Sequence, residues 1–189
     1  MNYRTILTAL SCILTMMALA HTPAISSAQS RYENANFYSA RGDQWFAQEA
    51  YDKALADYDT ALTIDSCDAI TFNKRGMVWI AKEDFGQALR DFKRATKLNP
   101  DFAAAWYNHG IAWARKGKWE RAIADYNQAL ALNSQFAEAL LARGLAQLER
   151  GREQEAMADF ARCVKMNPQY QREISKRIEA FKTTLAAKR

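Results

Sequence analysis

The sequence predicts an all-α solenoid of four tandem helical hairpins closed by one more helix. Three observations carry this expectation. Glycine recurs at positions 42, 76, 110 and 144, a period of 34 residues. Each 34-residue window holds two apolar stripes at helical spacing, and no insertion breaks the register from residue 35 to residue 170. A fixed period of this length means one supersecondary unit stacked on copies of itself, an architecture that offers extended surfaces more readily than an enclosed catalytic pocket.

The first segment is of another kind. Arg4 gives a short basic start, Thr5 to Ala20 is mostly apolar and uncharged, and His21 to Ser30 is small, polar and interrupted by Pro23. This is the pattern of a secretory signal peptide over 1–28, its apolar run being too short to span a membrane comfortably, which takes about 20 residues. Small residues at Ser26 and Ala28 place cleavage after Ala28; cleavage after Ala20 is the alternative, and retention of 5–20 as a membrane anchor is a second. Cys12 follows Ala9, Leu10 and Ser11, a poor match to a lipoprotein signal. The expected location is therefore exported, periplasmic or secreted, with a short lead-in over 29–34.

Four units follow: 35–68, 69–102, 103–136 and 137–170. Unit position 4 holds Tyr38, Phe72, Trp106 and Leu140, position 11 holds Trp45, Trp79, Trp113 and Gln147, and position 17 holds Tyr51, Phe85, Trp119 and Glu153. Position 20 is alanine in every unit, position 24 is Tyr58, Phe92, Tyr126 and Phe160, and position 27 is Ala61, Ala95, Ala129 and Cys163. Positions 4, 8 and 11 form one helical stripe, and 17, 20, 21, 24, 27 and 28 form the other. The break near position 15 carries Gly117 and Gly151 in the last two units, suited to a tight turn. Second helices end at Asp65-Ser66, Asn99-Pro100, Asn133-Ser134 and Asn167-Pro168, where proline cannot continue a helix. After unit four, Ile174, Ile178, Phe181 and Leu185 make one apolar stripe on a charged helix, as a capping helix over 171–187 requires, followed by a basic tail to residue 189.

Position 7 is Arg41, Arg75, His109 and Arg143, while position 23 is aspartate in all four units: Asp57, Asp91, Asp125 and Asp159. The recurrence predicts a ladder of ion pairs between adjacent helices.

These residues resemble the tetratricopeptide repeat family, whose signature sets a large aromatic, then Gly, Tyr, Ala, a second aromatic and Pro at these spacings. The resemblance covers 35–170. The basic residues at position 7, where the family usually has Leu, and the missing aromatics at positions 11 and 17 of unit four depart from it. It implies a right-handed α-solenoid in which the first helix of each hairpin lines a concave groove that accepts an extended peptide or a partner helix. The family's inward positions, carried over, are Asn73, Lys74, Met77 and Ile80 in unit two and Tyr107, Asn108, Ile111 and Arg115 in unit three. Unit four adds Leu141 and Leu145, with Ala142 and Leu148, which could equally serve packing. The carboxylate clamp of a family subset falls on Asn73 and Met77, Asn108, then Glu138 and Ala142, so its central Asn alone survives and a chaperone-tail receptor is disfavoured.

Beyond 1–28 the chain has one histidine, His109, and no metal cluster, serine nucleophile motif or phosphate-binding glycine loop. A lone histidine lacks the partners that catalysis needs, so no enzyme activity, cofactor or metal is expected. The formal net charge is +5, but basic and acidic residues alternate on every helix, which argues against a nucleic-acid partner. Cys67 and Cys163 lie almost three units apart, so an internal disulfide is not expected. Cys163 reads as a small core residue, and Cys67 as a turn thiol that could pair with another molecule. The functional expectation is an exported adaptor that binds a protein or peptide partner in its groove and helps assemble or regulate a cell-envelope complex. A self-assembling structural repeat protein and a membrane-anchored assembly factor are the alternatives.

Overall fold

The computed structural model describes residues 23–187, with side chains from 29 to 183; of the leader expected over 1–28, residues 1–22 lie outside these and 23–28 begin the first helix. Among the described residues there are nine helices and no strand: α1 Pro23–Ala47, α2 Tyr51–Ile64, α3 Ala69–Ala81, α4 Phe85–Leu98, α5 Ala103–Arg115, α6 Trp119–Leu132, α7 Ala137–Glu149, α8 Glu153–Met166 and α9 Tyr170–Ala187. None is long and apolar enough to cross a membrane. The chain divides into two compact units, one ending at Cys67 and one beginning at Asp68.

The first unit is a single hairpin of α1 and α2. Residues 29–34 continue the helix that starts at Pro23, where a proline costs nothing because first-turn amides have no partner inside the helix. Ala54, Tyr58 and Ala61 are buried; the Tyr58 ring lies against Gly42 of α1, and its hydroxyl donates to Asp43 Oδ1 at 2.7 Å. Burial, helped by that carboxylate, pushes the Tyr58 hydroxyl far above the usual tyrosine range.

The second unit contains the hairpins α3–α4, α5–α6 and α7–α8, followed by α9. Every hairpin in both units turns in the same way. The amides of Ala50, Asp84, Lys118 and Arg152 each donate to a carbonyl five residues back, on Trp45, Trp79, Trp113 and Gln147, at 2.9 Å. This closure places one residue in the left-handed region: Gly117 at φ 67° and Gly151 at φ 71°, but Glu49 at φ 57° and Glu83 at φ 60°. The glutamates carry a strain of about 1 kcal/mol that glycine avoids.

The exits from the second helices are equally regular. Asp65, Asn99, Asn133 and Asn167 each accept, through Oδ1, from the amide two residues on, at 2.9–3.1 Å. A short side chain thus takes over a backbone donor as the chain leaves the helix, which explains the Asn or Asp at unit position 31.

Packing inside each hairpin explains the 34-residue glycine. A Cβ on Gly76 would stand 2.5 Å from Phe92 Cε1, and the same contact is 2.6, 2.6 and 2.5 Å for Gly42, Gly110 and Gly144 against Tyr58, Tyr126 and Phe160. The ring lies where any other residue would put its first side-chain carbon. The position-20 alanines Ala54, Ala88, Ala122 and Ala156 are fully buried, bringing the two backbones close.

The ion-pair ladder is present. Arg41, Arg75 and Arg143 each fork onto Asp57, Asp91 and Asp159 through Nε and Nη2, at 2.6–2.8 Å. In the third hairpin His109 Nδ1 stands 2.8 Å from Asp125 Oδ2, close but out of line for a hydrogen bond. A further pairing sits at positions 11 and 19. Lys53 Nζ covers the Trp45 ring and the Arg121 guanidinium covers Trp113, each at 4.5 Å. Where unit four has Gln147 instead, its Nε2 donates to Glu155 at 3.4 Å.

Unit four keeps a large core despite its missing aromatics. Leu140, Leu148, Phe160 and Cys163 are buried with Ile174 of α9, and Ile178 and Phe181 pack against them. Cys163 Sγ donates to the Ala137 carbonyl at 3.3 Å, and burial pushes its thiol up. Cys67 is exposed.

Candidate functional site

Within the second unit the first helices α3, α5 and α7 carry the residues expected to meet a ligand. Their position-7 side chains turn to the aspartates of α4, α6 and α8, which fixes the rotation of each first helix. The positions on either side are then set.

Asn73 and Asn108 come together. Asn108 Nδ2 donates to Asn73 Oδ1 at 2.9 Å, and Asn73 is buried. Asn73 therefore orients Asn108 and is withdrawn from the surface, while half-buried Asn108 keeps its Oδ1 and one amide hydrogen for another partner. Lys74 is half-buried and already engaged. Met77 is open, at 39% exposure. Ile80 packs on Ala88, Phe92 and Ala112.

Tyr107 is more a wedge than a free contact. Its ring lies 4.9 Å from Phe136 and 5.9 Å from Tyr126. Burial, with the charge of Glu138 nearby, pushes its hydroxyl up to about 12, so it stays a neutral donor at physiological pH. Leu141 packs against the cluster of Leu140, Phe160 and Ile174.

Ile111, Arg115 and Leu145 are brought together in a cleft of about 750 Å³. Helix α5 lines it with Ile111, Ala114 and Arg115, and α7 with Ala142, Leu145, Leu148 and Glu149. Trp119 and Tyr126 come from α6, and α9 closes a further side with Arg177, Ala180 and Phe181. Its size is that of an ordinary ligand cleft, and its lining is mostly apolar with a few charged groups. Arg115, Glu149 and Arg177 are exposed there.

Sequence reasoning missed Trp119, Tyr126, Glu149, Arg177 and Phe181. The two aromatics sit at repeat positions that read as core, and burial does push the Tyr126 hydroxyl well above its usual range. A signal for Phe181 was present: Ile174, Ile178 and Phe181 continue the register at unit positions 4, 8 and 11, so the apolar stripe of α9 has the spacing of a first helix. Ile174, at 3% exposure, pins it to α8 and α7.

Next to the cleft, Glu120 accepts from Arg150 Nε at 2.8 Å and from Arg152 Nη2 at 2.9 Å, joining the start of α6 to the turn after α7. The Arg150 hydrogen bond is the main reason the Glu120 carboxyl titrates below its ordinary value. Among the described residues no group of three potential metal ligands occurs.

The fold and this face define a helical-repeat protein with a lined first-helix surface. The tetratricopeptide repeat family model matches residues 74–135 and 114–170, together more than half of the chain. The chain belongs to the tetratricopeptide repeat family. Solved structures agree on the fold. MamA superposes with a TM-score of 0.67 at 20% identity, over 74% of this chain and 81% of that one. YrrB, described as a TPR protein with an unusual peptide-binding site, gives 0.64 at 24% identity, over 78% and 76%. The first TPR of Spaghetti (RPAP3), solved with the HSP90 peptide SRMEEVD, gives 0.56 at 22% identity, over 68% and 94%. No curated protein matches the chain in sequence.

Proposed function

We propose that this protein is a non-enzymatic interaction scaffold that holds a peptide or helix of a partner protein on the first-helix face of α3, α5 and α7. One observation carries the reading: that face ends in an apolar cleft whose exposed arginine, Arg115, forms no ion pair among the described residues. Asn108, oriented by Asn73, adds a side-chain amide suited to a peptide backbone, and Met77 an exposed apolar contact. Two of the structural neighbours are peptide binders by their own descriptions, which supports the same use of the fold. The uncharged run Thr5–Ala20 supports export, and an exported scaffold of this kind suits the assembly or regulation of a cell-envelope complex, a step taken by analogy of fold.

Selection of a random displayed-peptide library on the full chain tests the reading. Enriched peptides are expected to lose tenfold or more in affinity, about 1.4 kcal/mol, on Met77→Arg combined with Asn108→Asp, with helicity unchanged. Enriched peptides that ignore this variant but are lost on Gln128→Glu, a substitution on exposed α6, would move the function to the second helices.

A further inference from the structure

We infer that the cleft between α5, α7 and α9 is an anchor subsite for one bulky apolar side chain that has a carboxylate beside it in the partner polypeptide. The inference rests on the reading of the first-helix face as the binding surface and names the chemistry recognised at its end.

The apolar part follows from the lining. Ile111, Leu145 and Phe181 come from three different helices, and the Trp119 ring joins them. An open volume of about 750 Å³ remains among them. A single aromatic or large aliphatic group leaves water there with the best return, because large side chains bury the most apolar area per residue ordered.

The acidic part follows from the arginines. Four arginines of this unit meet carboxylates at close range: Arg75 and Arg143 fork onto aspartates, and Arg150 and Arg152 converge on Glu120. The two that line the cleft have no such close carboxylate. Arg115 forms no ion pair among the described residues, and Arg177 has a single 3.9 Å contact with Glu173, one turn away on an exposed surface. Glu149 is the one carboxylate lining the cleft against them. Two guanidinium groups against one carboxylate leave a net cationic site, and the planar fork of arginine suits a partner carboxylate.

Helix α9 gives the subsite its third wall. It supplies Arg177 and Phe181, and buried Ile174 holds it in place. The anchor therefore lies beside α9, not in the middle of the first-helix face.

The test uses the full chain and three fluorescein-labelled nine-residue glycine–serine peptides, with a central Glu-Phe-Glu, Lys-Phe-Lys or Glu-Ala-Glu. Glu-Phe-Glu is expected to bind at least tenfold more tightly than either of the others. Arg115→Glu with Arg177→Glu should remove about tenfold or more of that affinity, and Ala142→Trp, which puts a bulky ring into the cleft wall, should reduce the preference for Phe over Ala. Both arginines are exposed, so the charge variant keeps its fold. Equal affinities for the three peptides, or a preference that survives charge reversal, would overturn the assignment. If library peptides are lost on Met77→Arg with Asn108→Asp yet ignore both arginines, the subsite fails and the wider face stands. If no peptide of any sequence binds, both fail. Association of the chain with itself, dependent on concentration and abolished by Arg115→Glu, would assign the cleft to a second copy and overturn the partner proposed.

Discussion

Phe92→Ala is expected to lower the unfolding free energy by about 3–5 kcal/mol, among the largest single-residue losses in the chain. The ring is fully buried, clusters with Ala88 and Ala112, and is packed by Trp79, Ile80 and Leu89. It also occupies the space that a Cβ on Gly76 would need, 2.5 Å from where that carbon would sit. Removing it leaves a void between α3 and α4 that backbones already in close contact through buried Ala88 cannot close. The reverse change, Gly76→Ala, overpacks the same contact and should cost about 1–3 kcal/mol. The two are one contact seen from both sides, so Gly76→Ala with Phe92→Ala should cost clearly less than the sum, since the new methyl enters the vacated space. Urea denaturation of the three variants measures this. Additive losses, or a Phe92→Ala cost below 1 kcal/mol, would mean that the glycine period has another cause.

Asp159→Ala is expected to cost about 3 kcal/mol, and more than Arg143→Ala combined with it. Asp159 is 3% exposed and takes both forks of Arg143, whose Nη1 also donates to Asn127 at 2.7 Å. Truncating the acid leaves a partly buried guanidinium without its counter-charge, the costly way to break such a pair. Replacing both partners at once, as Arg143→Met with Asp159→Leu, should recover most of the loss, because a matched apolar pair needs no desolvated charge. Thermal denaturation of the single and double variants checks the order, and a double variant no better than Asp159→Ala would contradict it. The first unit extends the argument to pH. The hydrogen bond from Arg41 holds the Asp57 carboxyl below its ordinary range. Its contribution is therefore complete above the unfolded carboxylate value of about 3.9 and is lost as pH falls through the lower folded value. Asp57→Asn should be less stable than the parent at neutral pH and should show a flatter acid limb.

The fold was legible because its rules are periodic. A glycine against an aromatic, an alanine between backbones and an Asn or Asp at the helix exit each recur at a fixed position, so four weak signals add into one. The ladder was legible for the same reason, since Arg41, Arg75 and Arg143 recur with their aspartates. The left-handed turn was visible at Gly117 and Gly151 and hidden at Glu49 and Glu83, where hairpin closure overrides the preference of the side chain.

The candidate site was less legible because it depends on where periodicity stops. Family positions pointed to Ile111, Arg115 and Leu145, which the cleft does bring together. The same positions pointed to Asn73, yet a side-chain amide two helices away draws it inward, a pairing of 35 residues that no single repeat encodes. Arg177 and Phe181 were read as cap and solvent residues, and the register of the α9 stripe does not by itself show that its flank borders the cleft. Trp119 serves core and cleft at once, and spacing alone assigns it to the first.

The most direct test of the account places a photo-crosslinking amino acid in the producing cells, at residues 77 and 115 on the first helices or at residues 128 and 161 on the second. The account predicts a crosslinked partner polypeptide from 77 and 115, and none from 128 and 161. Crosslinks from 128 and 161 with none from 77 and 115 would contradict it, for the partner would then be held on the face built from second helices.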